Sequence, residues 1–573
     1  MRAHPRAVLA LVLVGLLRPG LSLPWTPPIG LPDPGWGIDT PVAPARPLPW
    51  TAEVTGFYYV DDDHVAATDT ANPYGYPGKP RLTIPNTLAA GSYVEVNGTY
   101  NRSHTSPNNL QLNGTVANPI FIRSQTCTPP YAVVQGSNWE TSGSYYVLEC
   151  LDFHWTGTAK GAMAIGPQGN VYHAAVRNCV NRGNLSGGGM SVSANAGFHA
   201  QNVVIYNCEV KDSGDYRILT DQDVSGIVIS ARASHVYIMD NTIARSSGDG
   251  VSINATSAAL QQDTHHVYVG RNVSTQNKQT GFWTKQAEDV IYSQNTAYHL
   301  VVSASSPGAC LGGQYAPSHV WVIFNHFYDC DNGIKFQSDS GLGYGTHLYI
   351  VGNLIHHIQS SDAFDPANPS DDACISLRGM THIRIVNNTC WHYAVGGIMS
   401  PNGAGYIHIT GNILGARQNA SARDILLQVS AVASASDMTY NNLDTSVRIE
   451  WPQPTLYTSL AAFQSGTGKG QSSLSAAPQF LDAGARIYHL TTSSPGYNAG
   501  PAGHEVYDTF LARYGRSIAV DFDGASRPLG AAWDIGAFEL AAGGSPRPPV
   551  ADRPAAPARP PVADRPAVAD RPP

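Results

Sequence analysis

The chain has 573 residues, a formal net charge of −8, and 42% hydrophobic but only 13% charged residues, about half the charged share of an average soluble domain. Without a basic excess to grip a phosphate backbone, nucleic-acid binding is disfavoured. The 56 glycines and 41 prolines argue against a helical protein and for strands and turns.

Residues 1–23 place Arg2 and Arg6 ahead of an apolar run at 7–17 and small residues near Ser22, the pattern of a secretory leader. That run is about half of what a bilayer-spanning helix needs, so the expectation is an exported protein, secreted or at the cell surface, with no transmembrane segment. Eight cysteines can pair in such a compartment. Residues 24–50 hold nine prolines and no apolar period, and read as an extended linker. At the other end, residues 546–573 repeat VADRP with ten prolines, which predicts a disordered, polyproline-like tail.

Between these ends a seven-residue phrase recurs: HVYIMDN (235–241), HVYVGRN (266–272), DVIYSQN (289–295), HVWVIFN (319–325), HLYIVGN (347–353), HIRIVNN (382–388) and YIHITGN (406–412). Successive final asparagines are 31, 23, 30, 28, 35 and 24 residues apart, a minimum coil with loops let into it. Each phrase alternates apolar residues at period two, as a strand with one buried face does. About ten residues later comes a second short strand opening on glycine or another small residue: GIVIS, GVSIN, GFWTK, CLGGQ, GIKFQ, CISLR and GIMSP. Strands that repeat in one direction predict an all-β solenoid, a right-handed parallel β-helix, over 58–540 with a capping segment at each end.

In these phrases, with YYVDDD (58–63) and DFDGASRPLGAAWDIGAFE (521–539), the chain resembles the secreted right-handed β-helix proteins of the pectate-lyase-like superfamily. That resemblance implies a fold shared by lyases, hydrolases, epimerases and binding proteins, so function must come from the residues. In such a coil the column Asn241, Asn272, Asn295, Asn325, Asn353, Asn388 and Asn412 is expected as an inward amide ladder. His235, His266, His319, His347 and His382 string along the axis, cannot converge on one ion, and read as a turn ladder. Cys179 and Cys208 should stand on neighbouring rungs within bonding range. Cys310 and Cys374 have a rung between them and cannot bond each other, leaving Cys310 with Cys330, Cys374 with Cys390 and Cys127 with Cys150 open as local pairs.

In the glycine-type strands the second and fourth residues after the opener point outward. The outward face then carries Lys285, Lys335 and Arg378, an exposed Trp283, and the amides Asn254 and Gln337, all within five rungs. This reads as a polysaccharide groove on a monomeric protein, with Trp283 as a stacking platform for a sugar ring. GFWTK is similar to the Gly-Phe-x-x-Lys strand of calcium-dependent pectate lyases, which implies Lys285 as the base of a β-elimination on a uronate polymer, with Lys335 and Arg378 as cationic neighbours that lower its proton affinity. The aspartates that hold calcium in those enzymes have no counterpart in RNVSTQNKQT (271–280). The insert at 360–373 supplies Asp362, Asp365, Asp371 and Asp372, of which Asp371 and Asp372 are the candidate Ca²⁺ ligands; a solvated acidic turn is the other reading. Two alternatives stand beside the lyase: a glycoside hydrolase using Asp221, Asp223 and Asp249, and a non-catalytic carbohydrate-binding or adhesion protein.

Overall fold

The computed structural model describes residues 24–541 apart from 136–137, 156–162, 186, 219–221, 256–262, 304–305, 307, 338–342, 361–371 and 403–404. The expected leader and the tail at 546–573 lie outside the described residues. Each full turn of the chain contributes three short strands, one to each of three parallel sheets. Parallel crossovers are right-handed, and the fold is a right-handed parallel β-helix. The first sheet is built from the glycine-type strands, among them Val251–Asn254, Thr280–Lys285, Ala309–Gln314, Asn332–Phe336 and Ala373–Arg378. The second comes from the repeated phrase: Ala233–Met239, His265–Gly270, Glu288–Ser293, Ser318–Ile323, Gly345–Val351 and Met380–Val386. Strands of the third, such as Thr242–Ala244, Val273–Thr275 and Thr296–Tyr298, are too short to show a period. Inside, like residues stack on like: Val236, Val267, Val290, Val320, Leu348 and Ile383 form one buried column.

The corner between the second and third sheets is the tightest. Its turn residue takes a left-handed conformation in coil after coil (Asp240, Arg271, Gln294, Phe324, Asn387), and the asparagine that follows turns inward. Asn272 Oδ1 accepts both the backbone N–H and the Nδ2 of Asn241, each at 2.9 Å, while Asn272 Nδ2 donates to the carbonyl of Ile238. The same pattern continues through Asn295, Asn325, Asn353, Asn388 and Asn412 to Asn441. Every buried amide in this run is thereby satisfied, which a lone buried asparagine is not. The ladder expected from the phrase is present and runs one coil further.

Cys208 and Cys179 continue the column upward: the Cys208 N–H donates to Asn241 Oδ1 at 2.8 Å, and the Cys179 N–H points at Cys208 Sγ. They stand on adjacent rungs but remain free thiols, because each sulfur is turned, as the asparagines are, toward backbone carbonyls of its own and the preceding rung. Cys127–Cys150, Cys310–Cys330 and Cys374–Cys390 are disulfides. The histidine column lies within the second sheet's strands rather than at a turn. His235, His266, His319, His347 and His382 all have φ between 52° and 58°, a bulge at which the residue is skipped in the pairing, and rings stack rung on rung (His319 on His347 at 4.5 Å, His347 on His382 at 4.7 Å).

Residues 24–50 form no helix or strand, as their prolines require, yet they are not a free spacer. The segment lies along the second sheet: Trp25 Nε1 donates to Asp240 at 2.7 Å, Ile29 N–H donates to Gln294, and Arg177 donates to the carbonyls of Ile38 and Pro41. Leu31, Trp36, Ile38 and Trp50 join the apolar outer layer of that sheet. Gly270 permits the approach, since a Cβ there would stand 2.5 Å from Pro28. The helix Glu505–Tyr514 covers the later rungs, with Phe510 edge-on to Trp321 and Arg513 and Tyr514 bonded to Asp289. Beyond it, the closing segment is locked by Arg527, which pairs with Glu539 in full burial and donates to the carbonyls of Asp534 and Gly536. Tyr488, Phe522 and Phe538 pack over later rungs of the third sheet.

Two consequences are measurable. Asn325→Ala strips the acceptor from the Asn295 N–H and Nδ2 and the donor from the Tyr292 carbonyl; at about 1–3 kcal/mol per unmet buried group, the urea midpoint should fall sharply, while Gln314→Ala on the open first sheet should shift stability by under about 0.5 kcal/mol. Burial, with neighbouring His319 and His382 and with Arg513 and Arg384, holds His347 down to about 4; burial does the same to His266, where Asp289 opposes it and His265, His235 and Arg513 add to it. A histidine with its folded value below its unfolded one binds fewer protons when folded, so stability drops as pH falls from about 6.5 toward 4. Asparagine at 347, which tolerates the left-handed backbone, should flatten part of that dependence in denaturation midpoints measured across the window.

Candidate functional site

With the second sheet and later rungs of the third covered, the first sheet is the face on which, among the described residues, neither terminal segment packs. Coil length also varies at its edges. Between the second and third sheets two residues suffice, whereas ten separate Val251–Asn254 from His265–Gly270 and fourteen separate Leu354–Ile358 from Ala373–Arg378. Walls of variable length around an open, regular floor are where a repeat fold builds a binding site.

The floor has the register read from the phrases. Ser252, Trp283, Gly312, Lys335, Ser376 and Met399 form one column, and Asn254, Lys285 and Gln314 the next. Gln337 extends this second row: its Nε2 donates to Gln314 Oε1 at 3.1 Å. Arg378 sits beyond a bulge, opposite Asn402. Lys285, Asn254, Gln337 and Arg378 are partly exposed, as a contact row requires.

Two of the expected residues are not exposed. Trp283 is 6% accessible, because its indole lies flat over Gly312, where a Cβ would come within 2.4 Å of the ring. It fills the floor at that point and offers no open face for sugar stacking. Lys335 is 5% accessible. Cation crowding around Lys285 is also weaker than expected: Lys335 is two rungs away, about 10 Å, and the charge acting on its near side is the buried carboxylate of Asp249.

Asp249 stands at the sheet edge one rung before Thr280–Lys285. Thr280 Oγ1 donates to it at 2.6 Å and Ser252 also bonds it; burial raises its pKa, and Lys285 is the main opposing influence. Asp223, exposed and in a left-handed turn, accepts from Gln279 Nε2 at 2.6 Å and adds its charge to the field at Asp249. Asp223 therefore acts on Asp249 through its charge, while Asp221 falls outside the described residues. Thr280 and Ser252 were missed as partners of Asp249, although the register alone aligns Thr280 with it.

Asp362, Asp365 and Asp371 lie outside the described residues. Asp372 is engaged at the sheet corner, its two oxygens accepting from Asn332 Nδ2 and Ser360 Oγ, each at 3.1 Å. Among the described residues no three His, Cys, Asp or Glu side chains converge as a metal site would need.

No described protein family and no curated protein sequence matches the chain. Solved structures similar to it include the GH136 lacto-N-biosidase from Eubacterium ramulus (13% identity, 67% of each chain, TM-score 0.40). Pectate lyase Pel9A is 14% identical over 84% of this chain and 96% of that one, with a TM-score of 0.36. The PL6 family alginate lyase AlyGC is 12% identical over 80% of this chain and 57% of that one, with a TM-score of 0.42.

Proposed function

We propose that this chain acts on a polysaccharide laid along its first sheet, and that it cleaves a uronate-containing polymer by β-elimination. The observation that supports this is the row Asn254, Lys285, Gln314, Gln337 on a sheet face against which, among the described residues, neither terminal segment packs. Amides there can bond sugar hydroxyls, and the partly exposed Lys285 and Arg378 favour carboxylated sugars over neutral ones. Lys285 is the proposed base: in its unprotonated form the amine takes the proton α to the uronate carboxylate, the electrons form the ring double bond, the glycosidic C–O bond breaks, and the leaving oxygen takes a proton from water. Three disulfides suit an oxidising, extracellular setting.

A second reading rests on Asp249. A buried carboxyl with raised pKa beside an exposed carboxylate, Asp223, is the arrangement of an acid and a base for glycoside hydrolysis. Products separate the two, since elimination leaves an ultraviolet-absorbing double bond and hydrolysis leaves new reducing ends without it. Retention of a polymer with neither product would identify a binding protein.

On a panel of uronate polymers, Lys285→Ala should cut elimination by about 10²- to 10⁴-fold, the range for losing a general base, far more than it weakens polymer binding, with the denaturation midpoint unchanged. Undiminished turnover in that variant removes Lys285 as the base.

A further inference from the structure

Past Ala373–Arg378 the first-sheet register continues through Gly396–Asn402 and Arg423–Leu427 to Ile449–Glu450. The last two coils bring three guanidinium groups together at the sheet's edge. Arg417 donates to the carbonyls of Ala422 and Ser446 and to the Ser446 hydroxyl, and lies 3.6 Å from Asp424. Arg423 Nε donates to Glu450 at 2.7 Å. Asp424 accepts from the Tyr393 hydroxyl and, at 2.7 Å, from the Arg448 backbone N–H, and burial pushes its carboxyl up to about 6.

That leaves Arg448. Its guanidinium has no hydrogen-bond or ion-pair partner among the described residues, although its Nε is buried. Burial, then the like charges of Arg423 and Arg417, act against its charged form, with Glu450 and Asp424 opposing them. A guanidinium in that position is stabilised by an incoming oxyanion, for which its planar fork is the matching shape.

We infer that Arg448, beside Arg423, is an anion subsite at the far end of the first-sheet groove, and that it takes a carboxylate of the same polymer that lies over Lys285. The ligand rests on the polysaccharide reading above; the site does not. Six rungs separate Thr280–Lys285 from Ile449–Glu450, about 29 Å, or about five or six sugar rings in an extended chain. A short oligomer can reach one end of this span and a long one both.

The test is calorimetric titration of the full, disulfide-bonded chain and of R448Q with trigalacturonate and hexagalacturonate. The guanidinium holds no part of the fold together, so R448Q should keep the parent denaturation midpoint. The expected result is that the hexamer binds the parent about tenfold more tightly than the trimer does, a 1.4 kcal/mol difference, and that R448Q loses this advantage with trimer affinity unchanged. Equal affinities in the parent, or a hexamer indifferent to R448Q, overturns the subsite. If neither oligomer binds the parent, the polysaccharide reading fails with them, and the site is decided by phenylglyoxal labelling of Arg448 with and without inorganic sulfate. Labelling slowed severalfold by sulfate supports an anion site, and an unchanged rate overturns it.

Discussion

The two-residue corner between the second and third sheets governs this molecule. A left-handed residue there turns the chain so sharply that the next N–H loses its strand partner, and the only group placed to receive it is the side-chain oxygen of the asparagine one coil below. Satisfying that buried donor ties each coil to the next at one fixed register. With this corner pinned, the coil cannot change length on that side.

Length variation is consequently displaced to the edges of the first sheet, where inserts of very different size are carried without disturbing the stack. The outer layers follow from the same geometry. The second sheet presents Tyr237, Tyr268, Ile291, Trp321 and Tyr349 outward in one column, an apolar strip that must be covered. The N-terminal segment and the helix Glu505–Tyr514 divide that task and meet where Gly30 lies against Phe510. The first sheet instead alternates Ser, Lys, Arg, Asn and Gln on its outer face and stays open.

Electrostatics on the open face is set by pairing rather than by counting charges. Lys285 has Asp249 as its neighbour, Arg423 has Glu450 and Arg417 has Asp424, so most cations on this side are partly answered from within. Arg448 has no hydrogen-bond or ion-pair partner among the described residues, and it stands at the far end of the same sheet. A polyanion laid along the face would meet that guanidinium at its far end.

Much of this was legible in the residues. The phrase ending in asparagine specified coil, strand direction and ladder, because a buried amide recurring at coil spacing has few ways of being satisfied. The alternation within GFWTK and its relatives placed Lys285, Lys335 and Arg378 on one outward face, because side chains alternate strictly along a strand. Other features depended on contacts between positions far apart in the chain. Whether Trp283 offers its face or lies down depends on Gly312 one rung away; whether the proline-rich segment drifts or docks depends on Gly270, Asp240 and Gln294; whether Cys179 and Cys208 bond depends on which carbonyls their sulfurs face. Local pattern determined what each side chain could do, and the stacking of distant coils, which alone sets burial and partners, decided what each one does.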